Sequence, residues 1–485
     1  MKIPVIDKNI IVIVSGRVLQ IGLTLASVRV FTSLLSTAEA GNLYLLNSIL
    51  GLIGLTLLNP IGMYMNRSIH RWTAERTILS HFTLFNAYLI SLSFFSAALM
   101  FALYKVMHIG VGMDLKFLLL VVSLFVFFNT WNTVIIPTLN LLNFQVSFVF
   151  FTLLTLLLSL IFSGLFSLFI KATALYWLAG QVLAQAIVNV FAYLHFRKVV
   201  HSRADVHHMR SVLTRENLAN VISFIMPLVI TTFCMWLQSQ SYRIIIAQGI
   251  GTEFLGMIGL GLAVSSQIAA VVESIMQQIY YPDFYRNIST HDAAQRTEAW
   301  NALARRSLPA YMSLTICVSF IAPYLVNILA DPKFKGASVF IVYGAWIELF
   351  RMTTIILASI AHSEMQTTSL MKSYFFGGLV SVLGVYFGMR TEHYEQVIPA
   401  MLVAGGMLTL VIMYHDMKKL MRFQLGFNRI VKATLLSLPF AGAVFFYSDR
   451  QNLMLSLGMV LVCGLYFLAT QYYLSYKPRT EAGLL

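Results

Sequence analysis

Charge is what this 485-residue chain most lacks: 11% of its residues are Asp, Glu, Lys or Arg, against about 25% in an ordinary soluble domain. The rest is correspondingly apolar, with 58% hydrophobic and 13% aromatic residues, more than a soluble globule can hide from water. Cysteine is scarce too. Cys234, Cys317 and Cys463 stand apart inside apolar runs with no CxxC spacing, which excludes a disulfide framework and a thiolate zinc site. There is no GxxxxGK phosphate loop, so ATP-driven pumping by this chain alone is unsupported. There is also no DxD acid pair, which sets aside a metal-dependent sugar-nucleotide transferase, and no cofactor is expected.

What is present is a succession of apolar runs, each long enough to cross a hydrocarbon core of about 30 Å. Hydropathy predicts fourteen spans, near 9-33, 42-63, 82-105, 116-138, 146-170, 173-196, 219-247, 255-279, 308-330, 336-361, 368-389, 396-415, 431-448 and 453-474. The predicted fold class is therefore an all-α polytopic membrane protein. The formal net charge of +14 would suggest nucleic acid in a soluble protein, but here the sidedness of the charges is the question. With alternating loops, 22 of the 33 Lys and Arg residues fall on one side, 7 on the other, and 4 inside spans. Positive charge marks the cytoplasmic face, so both termini are predicted to be cytoplasmic. The first span has no small-residue cleavage site after it and is read as a retained helix. The segment 281-306, with Ser289-Thr290-His291-Asp292 ahead of Trp300 and Arg305-Arg306, reads as an amphipathic helix on the inner leaflet.

Two turns about 215 residues apart are alike. Arg29 precedes Thr37-Ala38-Glu39-Ala40-Gly41, and Arg243 precedes Gly251-Thr252-Glu253-Phe254-Leu255-Gly256; each turn opens an apolar run. Six spans separate them, so the repeat keeps its membrane orientation. This predicts two pseudo-symmetric six-helix halves around a central cavity, residues 1-200 and 201-428, with an extra helix pair and tail at 429-485. Parallel repeats of this kind are one transporter architecture.

The same turns, Leu34-Leu35-Ser36-Thr37-Ala38-Glu39-Ala40-Gly41 and Gly251-Thr252-Glu253-Phe254-Leu255-Gly256, together with Ala322-Pro323-Tyr324-Leu325 through Asp331-Pro332-Lys333-Phe334-Lys335-Gly336, resemble the Wzx-type polysaccharide flippases. These belong to the multidrug/oligosaccharidyl-lipid/polysaccharide exporter superfamily, and the resemblance runs in order over about residues 10 to 420. It implies an inner-membrane flippase for a lipid-linked oligosaccharide of the undecaprenyl-diphosphate type, serving surface polysaccharides such as O-antigen. Membrane lipids and other proteins of that pathway are the implied partners; nucleic acid is not. One departure stands out. Flippases of this type often carry an acid just before the Arg of the seventh helix, whereas this chain has Gln240-Ser241-Tyr242-Arg243, so no ion-coupling role carries over to that position.

Inside the spans lie four Arg (Arg17, Arg29, Arg243, Arg351) and two Glu (Glu273, Glu348). At about 2.5–3.5 kcal/mol each on insertion scales, such Arg residues cannot face lipid at mid-helix and must face protein or water. Arg17, Arg29 and Arg243 are the candidates for a cationic cavity that attracts a diphosphate. Gln181, Gln185 and Asn189 recur every four residues on one helical face, either lining a polar cavity or bonding a neighbouring helix. Glu348 and Arg351, three apart, read as a self-neutralised pair. Glu273 has no partner near in sequence and is the candidate for pairing across helices or for ion coupling. Asn59-Pro60 and Pro227 are expected to bend their helices. The alternative function is a cation-coupled exporter, for which an acid deep in the first six spans is expected and none is present.

Overall fold

The computed structural model describes residues 8–200, 202, 205–288, 292–364, 366, 369–447 and 452–476. Among these residues there is no strand, and thirteen helices are long and apolar enough to cross a membrane. With α1 (Lys8–Leu34) ahead of them, each of the fourteen expected spans falls largely on helical backbone, and those at 219-247 and 431-448 are interrupted. The physical reason is plain: in lipid each backbone amide must find its partner within the chain, and a helix does this locally.

The chain divides into two compact units, Met1–Trp236 and Leu237–Leu485. The first contains α1, α2 (Thr37–Ile53), α3 (Asn59–Ala74), α4 (Ile78–Val106), α5 (Leu115–Leu141), α6 (Gln145–Phe169), α7 (Ala174–Val200), α8 (Val206–Val212) and nearly all of α9 (Arg215–Ser239). Its first turn is fixed by caps. The Ser36 hydroxyl accepts from the Glu39 amide at 3.2 Å, and Glu39 Oε2 in turn accepts from the Ala174 amide at 2.7 Å, holding the start of α7. Five π-helical residues, Gly54–Leu58, join α2 to α3 just before Asn59-Pro60. Proline lacks the N–H that would continue the ladder, and the Tyr88 hydroxyl donates to the Leu57 carbonyl at 3.0 Å beside the irregular turn.

The second unit contains α10 (Tyr242–Gly249), α11 (Thr252–Ile288), α12 (Ala293–Leu329), α13 (Ala337–Ser363), α14 (Ser369–Gly388), α15 (Tyr394–Leu420), α16 (Phe427–Ser437) and α17 (Leu453–Tyr476). Two expectations need correction here. The span expected at 219-247 is broken: a turn at Gln240-Ser241 separates α9 from α10, and the Ser241 hydroxyl donates to the Leu237 carbonyl in place of the next ladder bond. The segment 281-306 is not a separate surface helix. Its ends are the last turns of α11 and the first turns of α12, because Asp292 caps directly into an unbroken run, accepting from the Ala294 amide at 3.0 Å. Trp300 is fully buried and donates to the Ile356 carbonyl at 3.0 Å; Ser289, Thr290 and His291 lie outside the described residues.

The C-terminal helices pack on α12. Ser437 donates to Ser313 at 2.9 Å, Tyr324 to the Ala443 carbonyl at 2.7 Å, and Asn327 to Ser456 at 2.8 Å. Beyond α16 the chain tightens into a 3₁₀ stretch, Leu438–Phe446, where Pro439 removes another ladder donor.

Small residues set how closely α11 and α13 approach. A Cβ on Gly261 would stand 2.5 Å from the Phe340 Cβ and 2.8 Å from the Ala337 carbonyl oxygen, and Ser265 donates to the Ile341 carbonyl at 2.7 Å. Backbone cannot swing aside as a side-chain tip does. Gly261→Ala is therefore expected to force the helices apart at a cost of about 1–3 kcal/mol, read as a lowered unfolding temperature of the purified protein in detergent.

Candidate functional site

In the first unit, α1 lies tightly on α6: a Cβ on Gly16 would meet Val149 Cγ1 at 2.4 Å. Beside this contact Arg17, Gln20, Phe148, Thr152 and Leu153 line a small cleft. Arg17 is exposed, and its Nη1 donates to the neutral Gln20 Oε1 at 3.0 Å. Among the described residues no carboxylate pairs with it. Arg29 is exposed twelve residues further along α1, which at 1.5 Å per residue places it about 18 Å from Arg17. The two guanidinium groups therefore leave the helix more than three turns apart.

Gln185 and Asn189 are buried and bond to α5. Gln185 Nε2 donates to Asn129 Oδ1 at 3.0 Å, Asn189 Nδ2 to the Phe128 carbonyl at 2.7 Å, and Asn132 Nδ2 to both Asn189 Oδ1 at 3.3 Å and the Thr155 hydroxyl of α6 at 3.0 Å. Gln185 Oε1 keeps no protein partner, and Gln181 is half-buried. The other half of this network, Asn129 and Asn132, was not singled out from the sequence. Its signal is there: two amides three apart in an otherwise apolar span.

In the second unit Arg243 opens α10, half-buried, with its Nε donating to the Tyr242 hydroxyl at 3.2 Å and its guanidinium 5.6 Å from that ring's centre. The charge chemistry of this unit lies elsewhere, on α11 and α13. Arg351 Nη2 meets Glu273 Oε2 at 2.8 Å, and its Nε meets Glu348 Oε2 at 2.6 Å. The carboxylates keep 12% and 10% side-chain exposure against 37% for the arginine. Gln277 Nε2 donates to Glu273 Oε1 at 3.3 Å, and Ser265, Ala269, Thr315 and Met352 line a small cleft beside Glu348. The sequence-expected pair is thus a triad. One guanidinium serves two acids, so the cluster carries a charge of −1 when all three are ionised, and a proton or a monovalent cation would neutralise it.

Among the described residues no three His, Cys, Asp or Glu side chains gather as metal ligands, and the three cysteines are free and buried.

No protein-family model matches the chain, and no curated protein sequence matches it. Solved structures do. The chain is similar to lipid II flippase MurJ in an inward closed conformation, at 13% identity and TM-score 0.66, over 97% of this chain and 99% of that one. It is similar to an inward-facing multidrug resistance MATE family transporter of the MOP superfamily, at 13% identity and TM-score 0.58, over 88% and 99%. A third is a MOP superfamily transporter from Pyrococcus furiosus, described as having a binding pocket of reverse polarity, at 13% identity and TM-score 0.55, over 87% and 94%. The fold is that of these transporters, and it spans nearly the whole chain.

Proposed function

We propose that this chain is a membrane transporter working by alternating access, and that its cargo is a lipid-linked oligosaccharide moved from the cytoplasmic to the outer leaflet. The observation that carries the reading is Arg17: a guanidinium within a spanning helix, open to a cleft, beside a neutral amide and, among the described residues, no acid. The diphosphate joining lipid to sugar presents oxygens that a guanidinium can bind in bidentate fashion. The isoprenoid tail stays in the hydrocarbon while the head group crosses. Arg29 and Arg243, at repeat-related positions, would draw the anion by field rather than by shared contact, while the half-buried Gln181 would offer bonds to sugar hydroxyls and the buried Gln185 and Asn189 would hold its helix against α5. In this reading the halves 1-200 and 201-428 are the moving parts, the protein sits in a bacterial inner membrane with cytoplasmic termini, and it performs no catalysis. Full-length likeness to a lipid II flippase supports it.

A second reading, the cation-coupled exporter, is favoured by the excess carboxylate of the Glu273–Arg351–Glu348 triad and by the likeness to a MATE transporter. The triad also suits the flippase, since one positive charge moving inward supplies about 2.3 kcal/mol per 100 mV. Thermal unfolding in detergent separates the two. A polyprenyl-diphosphate sugar at about 100 times its Kd is expected to stabilise the protein by about 2.7 kcal/mol, an effect lost in Arg17→Ala. Stabilisation by tetraphenylphosphonium, with none from the diphosphate lipid, would favour the exporter.

A further inference from the structure

The first unit holds a histidine pair that the transport site does not use. Between α7 and α9 the short helix α8 rests against the start of α4. The contacts there include the Asp205 amide donating to the Ser80 hydroxyl at 2.9 Å, the Ser80 hydroxyl donating to the Asp205 carbonyl at 3.5 Å, the Ser202 hydroxyl donating to the Arg76 carbonyl at 2.5 Å, and the Nε2 atoms of His208 and His81 lying 3.4 Å apart. His81 is itself clamped. Its ring stacks on the buried Trp72 with centroids 3.9 Å apart and planes 10° from parallel, and it meets the His208 ring edge-on, at 78° and 5.3 Å.

The surroundings of the pair are cationic. Among the described residues, His208 from α8 and Arg71 from α3 are the charged or titratable groups that act on His81. The nearest acid along α8, Asp205, is engaged as its cap, with Oδ1 accepting from the His207 amide at 2.9 Å. A bond between two imidazole nitrogens needs one N–H and one lone pair. With neither or one histidine charged, that bond exists. With both charged, two N–H groups and two positive charges point at each other beside Arg71.

We propose that His81 and His208 form a proton-released latch: neutral or singly protonated, the pair fastens α8 to α4, and double protonation on acidification of that face frees α8. The inference stands on this geometry alone and is independent of the cargo.

Hydrogen exchange of the full-length protein in nanodiscs, corrected for the intrinsic pH dependence of exchange, tests it. On lowering the pH from about 7 to about 3.5, the amides of residues 206–212 are expected to lose about tenfold protection in the wild type while those of residues 190–200 do not change, most of the loss falling below pH about 5 because burial and the neighbouring cations oppose the second proton. His208→Gln keeps a side chain that can donate or accept but not titrate, so its α8 is expected to stay protected throughout. His208→Ala removes the pair but keeps the Ser80 and Arg76 contacts, so its α8 is expected to be less protected than the wild type at pH about 7 and to show no further pH-dependent loss. A flat wild-type profile would overturn the latch, and so would a pH-dependent loss that persists unchanged in His208→Gln.

Discussion

Arg351→Gln is expected to be the most damaging single change in the second unit. It leaves Glu273 and Glu348, each about nine-tenths buried, facing each other without a cation. Removing one partner from a buried ion pair costs about 3–5 kcal/mol, and the partial exposure of Arg351 places the loss at the lower end of that range. Protein abundance in the membrane and the unfolding temperature should both fall. The compensating changes have a definite order. Glu273→Gln or Glu348→Gln alone leaves one acid on one guanidinium and is expected to be tolerated structurally. Adding Glu273→Gln to Arg351→Gln should recover part of the lost stability, because one uncompensated carboxylate is removed. A double-mutant cycle on unfolding temperature measures that coupling.

Arg17→Ala is expected to leave the fold alone and to slow transport strongly. The side chain is exposed and bonds within its own helix, so its loss opens no buried void. A charge-assisted bond to a phosphate contributes about 1.5–3 kcal/mol, which corresponds to about a tenfold to 150-fold fall in transport rate at equal abundance. Arg17→Lys keeps the charge but not the two-pronged donor geometry, and an intermediate rate is expected. Rates measured per folded protein in reconstituted vesicles distinguish these outcomes.

How much of this was legible without coordinates depends on the range of the forces involved. Spans were readable because apolar length is a local property, and all but those at 219-247 and 431-448 lie on helices without a turn or 3₁₀ stretch inside them. The turn around Glu39 was readable because a cap acts within four residues; Glu39 reaching across to the Ala174 amide was not. The break at Gln240-Ser241 escaped hydropathy, since a serine that takes its own helix's carbonyl changes geometry without changing polarity. Trp300 and the Arg pair at 305-306 suggested an interfacial surface helix, whereas helix propensity carried α12 straight through and buried the indole. Glu348 and Arg351 were visible as an i, i+3 pair. That Glu273 joins them from α11 depends on two helices pressed together at Gly261 and Gly344, a contact 78 residues long in sequence. The same holds for Asn129 and Asn132, whose role appears only once α5 and α7 are side by side.

The measurement that bears most directly on the cationic-cleft account is the sidedness of a lipid-diphosphate oligosaccharide in vesicles containing the purified protein, followed by its accessibility to an enzyme added outside. The account predicts exposure that grows with time in the presence of the wild-type protein and slows by at least about tenfold with Arg17→Ala at equal abundance. Exposure at the wild-type rate in that variant, or none from the wild type under an imposed ion gradient and membrane potential, would contradict it.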